Sequence, residues 1–237
     1  GNISYRKEFL KAMAVQVSLF GEARNLGRYS YIYSGDMNGD GITTNDLIYI
    51  PKNQAEMNFV AWTDAKNTAD PGDDVTYTVA QQKDAFEKYI GQDKYLSAHR
   101  GEFVSRNGAL LPWIQRFDFS VVVEVFKNFG GKRHTIQIRG DIFNVGNMIN
   151  NKWGVSKILN NNAFLDVTNI PIDPAGNISL NTPTTNTNVS RNPIFDNNGI
   201  LYRFVPNTRG SIDYGSFTTG TSINDVWQAQ IGLRYIF

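Results

Sequence analysis

The last stretch of the chain, residues 226–237, restricts the fold more than any other. Counting back by twos from the C-terminus gives Phe237, Tyr235, Leu233, Ile231, Ala229 and Trp227, all apolar or aromatic. Between them stand Arg234, Gly232, Gln230 and Gln228, with Ile236 and Val226 the only apolar exceptions. A period of two is the signature of a strand, because successive side chains point to opposite faces of a sheet. One face of this strand is greasy to its last residue and the other carries amide and guanidinium groups. Trp227 at one end, with Tyr235 and Phe237 at the other, fits the aromatic girdles that flank an apolar band in a bilayer. A half-buried strand of a sandwich shows the same alternation without needing those girdles.

Other segments repeat the pattern. Met13, Val15, Val17 and Leu19 share one face of a strand over 12–24, opposite Gln16, Ser18 and Glu22. Phe117, Phe119, Val121, Val123 and Val125 oppose Asp118, Ser120 and Glu124 over 115–126. Ile136, Ile138, Gly140 and Ile142 oppose Thr135, Gln137, Arg139 and Asp141 over 134–143. The last two strands flank a Gly130-Gly131 turn and form the clearest hairpin of the chain. Shorter strands are expected at 3–7, 163–170 and 200–205. None of the apolar faces of the four clear strands carries a charge. A basic residue there would cost about 2–4 kcal/mol at a bilayer midplane. The alternation therefore predicts an all-β fold of about seven antiparallel strands, part of a large transmembrane β-barrel with short turns at one end and long loops at the other.

Composition narrows the chemistry. The 237 residues hold 23 Lys+Arg against 22 Asp+Glu, so no strongly basic face for nucleic acid is implied. Cysteine is absent, which excludes disulfides, thiol nucleophiles and Cys-ligated zinc. The two histidines, His99 and His134, lie near no evident nucleophile, so no hydrolase triad is expected and the chain reads as non-enzymatic. The carboxylates Asp118, Glu124 and Asp141 read as ion-paired polarity beside Arg139 and Arg234. No window is long and apolar enough for a transmembrane helix. The chain begins abruptly at Gly1, which reads as a cut end.

The region 25–112 interrupts the strands and reads as one long extracellular loop. Thr78 and Gln81 form a capping box ahead of a helix with Val79, Phe86 and Ile90 on one stripe, packing the loop onto the rim. Trp62, Trp113 and Tyr49 are aromatic candidates for stacking on sugar rings. Within the loop, Asp36-Met-Asn38-Gly-Asp40-Gly-Ile42 places oxygen ligands at positions 1, 3 and 5 of a calcium loop, with the Ile42 carbonyl at position 7. Position 12, a bidentate Glu in an EF-hand, is Leu47 here, and Asp46 is the substitute candidate. Hard oxygen donors at this spacing suit Ca²⁺ in a bracing role. An Asp/Asn/Gly turn that caps itself through side-chain hydrogen bonds is the competing reading.

Several motifs carry a family resemblance: residues 31–41 with Asn45 to Pro51, then Tyr95-Leu96, Arg100-Gly101, Arg106-Asn-Gly108 and Pro112-Trp113. Asp118, the run Asp141-Ile-Phe-Asn-Val-Gly-Asn147, Asn151-Lys-Trp-Gly154 and the terminal strand continue the series. In this order the chain resembles the C-terminal barrel segment of SusC/RagA-like TonB-dependent outer-membrane transporters. The resemblance implies a plugged barrel of about 22 strands. It implies import of a nutrient such as an oligosaccharide or peptide across the outer membrane of a Gram-negative, Bacteroidota-like cell. The implied partners are the remainder of the barrel and plug, a SusD-like surface lipoprotein, TonB through the missing plug, and outer-membrane lipid, with no nucleic acid. Trp227, Ile231, Leu233, Tyr235 and Phe237 would then form the barrel-assembly signal. The whole chain, 1–237, would be the C-terminal portion of such a receptor, without its plug domain. The second reading is a secreted β-sandwich that binds carbohydrate and carries the calcium loop. A glycosidase ranks last, because no carboxylate pair stands out.

Overall fold

The computed structural model describes residues 1–64, 74–168, 170–171, 189–190, 195–196, 199–205 and 215–237. Part of the expected strand at 163–170, part of the Asp-Asn-Asn-Gly turn before 200 and much of the loop before the last strand lie outside them. The chain divides into two compact units. The first comprises Gly1–Leu26, Leu111–Ile158 and Thr219–Phe237; the second comprises Gly27–Leu110 and Leu159–Thr218.

The first unit is built on one antiparallel five-stranded sheet: β1 (Asn2–Phe9), β2 (Met13–Asn25), β3 (Trp113–Phe129), β4 (Lys132–Phe143) and β5 (Gln228–Ile236), in that spatial order. The β3–β4 hairpin turns on Gly130 and Gly131, both at positive φ, +60° and +79°. That pair of left-handed residues is what a tight turn matched to strand twist requires, and glycine adopts it without a Cβ penalty. The register puts Val17, Val121, Gly140 and Ile231 in one row and Leu19, Phe119, Ile142 and Ala229 in the next, so the apolar residues share a face. The opposite face carries Gln16, Ser18, Asp118, Ser120, Glu124, Gln137, Arg139 and Asp141. Two ion pairs lie on it, Arg6 with Glu124 at 2.9 Å and Arg139 with Asp141 at 2.8 Å. Much of the apolar face is open, with Ile3 76%, Ile231 85% and Leu233 77% exposed. Apolar patches larger than a few hundred Å² are uncommon on a monomer's surface and mark interaction sites.

The second unit has the main hydrophobic core. Helix α1 (Val79–Gln92) starts at Thr78, whose hydroxyl accepts from the Gln81 N–H while the Gln81 side chain accepts from the Thr78 N–H. The helix buries Gln82, Ala85, Phe86, Tyr89 and Ile90. These positions recur at the three- and four-residue spacing of a single helical face. Tyr31, Phe59, Phe164 and Phe204 close around them in tilted and edge-on contacts, with Tyr89 and Phe164 centroids 4.6 Å apart. Each such ring contributes about 1.5–3 kcal/mol by burial. Asp93 ends α1 and caps α2 (Lys94–Ala98), accepting from the N–H groups of Tyr95 and Leu96 at 2.9 Å.

Several expectations are corrected by this architecture. The strands do not form the wall of a large transmembrane β-barrel. The five-stranded sheet is open, with β1 and β5 each paired on one side only among the described residues. A barrel has no edges, since closure pairs every strand on both sides. The count of about seven antiparallel strands is also replaced. The remaining strands are two or three residues long and sit in small separate sheets. One of these is mixed: Tyr33–Ser34 runs parallel to Leu165–Asp166, which pairs antiparallel with Arg203–Phe204. Outer-membrane barrels of the expected type are antiparallel throughout. Helix α1 is a central element of the second unit's core.

Candidate metal-binding loop and aromatic surface

The Asp-rich loop lies in the second unit, just after the strand Tyr33–Ser34. Its side chains fold back on its own backbone. Asp36 Oδ1 accepts from the N–H groups of Gly39 at 2.7 Å and Asp40 at 3.2 Å, and its Oδ2 accepts from Gly41 at 2.8 Å. Asn38 Oδ1 accepts from the Asp40 N–H at 2.9 Å. Asp40 Oδ1 accepts from the Ile42 N–H, and its Oδ2 from the amides of Asn38 and Asn45. The Asn45 amide and the Ile42 N–H hold the Asp40 carboxyl below the usual range. Gly39 and Gly41, at φ +76° and +86°, make the turn that these bonds require.

The loop thus gathers Asp36, Asn38 and Asp40 in one tight turn. Asp46 is separately engaged: it is buried, and its Oδ2 accepts from the Met37 N–H at 2.8 Å. The Ile42 side chain is half exposed. Among the described residues there is no group of three or more His, Cys, Asp or Glu side chains disposed to hold a metal ion. The donors here include an asparagine amide and a backbone carbonyl, so any site they form is poorer in charge than a carboxylate cage.

The aromatic candidates fall in different environments. Trp62 is buried, with its ring tilted against Tyr77 at 5.0 Å and the Arg203 guanidinium 5.2 Å from its ring, so it offers no open platform. Trp113 opens β3 and is 66% exposed. Tyr49 packs on Phe103, a residue without a distinguishing signal in the sequence, with centroids 5.3 Å apart. Phe103 is 64% exposed. The Tyr49 hydroxyl donates to Glu56 Oε2 at 3.1 Å, and the Lys52 N–H donates to the same oxygen at 2.8 Å. The Lys52 N–H, followed by the Tyr49 hydroxyl, keeps the Glu56 carboxyl below its ordinary value. This surface presents an open ring edged by a fixed carboxylate.

The remaining candidates are structural in their contacts. His99 Nδ1 lies 2.8 Å from the Tyr95 carbonyl and its ring stacks on Tyr95. His134 Nδ1 lies 2.6 Å from the Tyr235 hydroxyl. Asp118 accepts from the Asn144 N–H at 2.8 Å. Of the terminal-strand residues, Ile231, Leu233 and Tyr235 stand exposed on the apolar face of β5, and Tyr235 stacks with Phe237 at 5.6 Å. Trp227, just before β5, is 46% exposed.

No protein family, no curated protein and no solved structure matches this chain. The resemblance to SusC/RagA-like transporters is therefore corrected, since its motifs bring no family match and its expected barrel is replaced by an open five-stranded sheet and several small ones, one of them mixed. TonB-dependent import and the outer-membrane location rested on that resemblance and on the barrel, and both are withdrawn with them.

Proposed function

We propose that this chain is a non-catalytic, secreted carbohydrate-binding module whose Asp-rich loop takes calcium as a brace. The observation that carries the reading is the exposed Phe103 ring packed on Tyr49, with Glu56 fixed beside it. An open aromatic face suits the C–H face of a sugar ring, and a carboxylate already ionised suits its hydroxyl donors. The calcium part rests on the all-oxygen donor set of Asp36, Asn38 and Asp40 and the Ile42 carbonyl, with Asp46 following. Hard oxygen donors favour Ca²⁺ over zinc. Bound there, the ion would stiffen the turn that precedes Tyr49.

Isothermal titration against a panel of neutral oligosaccharides tests the binding reading. At least one is expected to bind, and Phe103→Ala is expected to weaken it tenfold or more, which is about 1.4 kcal/mol. Absence of binding across the panel, or an unchanged affinity in the variant, overturns it.

A further inference from the structure

A small polar cavity in the second unit is absorbed by neither the aromatic surface nor the calcium loop. It measures about 240 Å³ and is lined by Ser30, Thr44, Asn45 and Arg106, with Ile32 and Leu47 at its apolar side. Ile32 and Leu47 bridge antiparallel, which holds that side rigid. The volume falls below the roughly 300 Å³ at which drug-sized sites begin. It suits one small ring rather than an oligomer.

Its polar groups have spare capacity. Among the described residues nothing pairs with the Arg106 guanidinium, which is exposed at the cavity edge. Ser30 Oγ accepts from the Asn107 N–H at 2.7 Å, so its own hydrogen is left to donate. Asn45 gives its amide nitrogen to Asp40 at 2.8 Å, and its Oδ1 is buried without a partner. No carboxylate lines the cavity. The Asp40 carboxylate is turned toward Asn45 and the Ile42 N–H. An unpaired guanidinium beside hydroxyl groups, with no carboxylate in the lining, recognises a planar anion through two parallel N–H bonds.

We propose that this cavity is a subsite for the terminal acidic sugar of a glycan, with the carboxylate of a uronate-type ring on Arg106 and its hydroxyls on Thr44 and Ser30. The ring's apolar face lies against Ile32 and Leu47. The subsite rests on the reading of the chain as a carbohydrate-binding module and names the acidic class of ligand that this module selects.

Titrating the isotope-labelled chain with methyl β-glucuronide and, separately, methyl β-glucoside tests it by amide chemical shifts. The glucuronide is expected to shift Thr44, Asn45 and Asn107, with the glucoside at least tenfold weaker. Arg106→Gln is expected to weaken glucuronide binding at least tenfold. Equal binding of the two glycosides, an unaltered Arg106→Gln variant, or shifts confined to other residues overturns the subsite. Because Arg106 is exposed, its replacement leaves the fold intact. Loss of the glucuronide effect with neutral-glycan binding intact at Phe103 sinks the subsite alone, whereas loss of both sinks the module reading.

Discussion

The Tyr31 hydroxyl donates to Asp93 Oδ2 at 2.6 Å across a separation of 62 residues, and both groups are buried. Ser216 donates to the same oxygen at 2.7 Å, while Asp93 Oδ1 caps α2. Burial is the main cause that raises the Tyr31 phenol far above its ordinary range, so it remains a donor at any working pH. One carboxylate therefore joins the segment at Tyr31, the α1–α2 junction and the segment at Ser216. Tyr31→Phe is expected to cost about 1.5–3 kcal/mol, the range for a hydrogen bond to a charged group. Asp93→Ala is expected to cost more, because the α2 cap is lost as well. Urea denaturation midpoints measure both. A Tyr31→Phe midpoint equal to that of the native chain would show that the carboxylate is indifferent to this donor.

Gln82 is fully buried on the apolar stripe of α1. Its Nε2 donates to the Val60 carbonyl at 2.6 Å, and its Oε1 accepts from the Phe204 N–H at 2.9 Å. It bonds one backbone group through each end of its amide. Gln82→Leu preserves bulk but removes both bonds, at about 0.5–1.5 kcal/mol each. Gln82→Glu keeps the acceptor but places a buried carboxylate against the Val60 carbonyl, so at neutral pH it should cost at least as much as Gln82→Leu. If Gln82→Leu proved as stable as the native chain, the two backbone groups would have found other partners.

Asp225 gives the first unit an acid sensitivity. It is buried, and burial alone would raise its carboxyl. The Ser156 N–H and hydroxyl, the Ser222 N–H and the Arg116 guanidinium at 3.0 Å outweigh that effect and lower it. A folded value below the unfolded one, about 3.9, means stability that is complete above the unfolded value. It is lost as pH falls through the folded value. Stability measured by urea titration between pH 7 and pH 2 should therefore decline in the acid range. Asp225→Asn should be weaker at neutral pH and show a shallower decline. An identical pH profile in the variant would remove Asp225 as a source of the acid sensitivity.

The calcium brace predicts a thermal shift. For a site of about 0.5 mM affinity, 5 mM calcium adds about 1.4 kcal/mol. In a domain of this size that raises Tm by about 3–6 °C. Asp40→Asn is expected to abolish the shift while retaining an oxygen for the Ile42 N–H. Magnesium, which demands a tighter octahedral shell, should do less. The absence of any calcium-dependent shift in the native chain would leave the turn as a self-capped loop.

The strands of the five-stranded sheet were readable because alternation runs through each of them. Gly130-Gly131 marked the one tight hairpin, and the Thr78/Gln81 box marked the start of α1. Sheet order was not readable. Closed and open sheets impose the same alternation on a single strand, so the pattern suggested a barrel where, among the described residues, β1 and β5 are each paired on one side only. The second unit was read as a long loop although Tyr31 and Tyr33, and Ile48 and Ile50, alternate into its core. Those runs are short and hemmed in by Gly, Asp, Asn and Pro, which read as turns. The parallel pairing of Tyr33–Ser34 with Leu165–Asp166 joins segments too far apart in sequence to be inferred from local pattern. Asp36, Asn38 and Asp40 were legible as a motif because their spacing is local. Phe103 and Arg106 were not legible as site residues, since an isolated aromatic and an isolated arginine carry no period.

The short pairing of Arg28–Tyr29 with Ala109–Leu110 has a consequence for the order of folding. Strands β2 and β3 are adjacent in the sheet, yet the chain between them is about 90 residues long. Closing so long a flexible loop costs about 0.6 kcal/mol more for each doubling of its length. Once the second unit has formed, the pairing near its ends has already closed most of that loop. What remains between β2 and β3 is a handful of residues on each side. If the second unit forms first it shortens that closure, so weakening it is expected to slow β2–β3 pairing, measured by refolding rates, even though no residue of either strand has been changed.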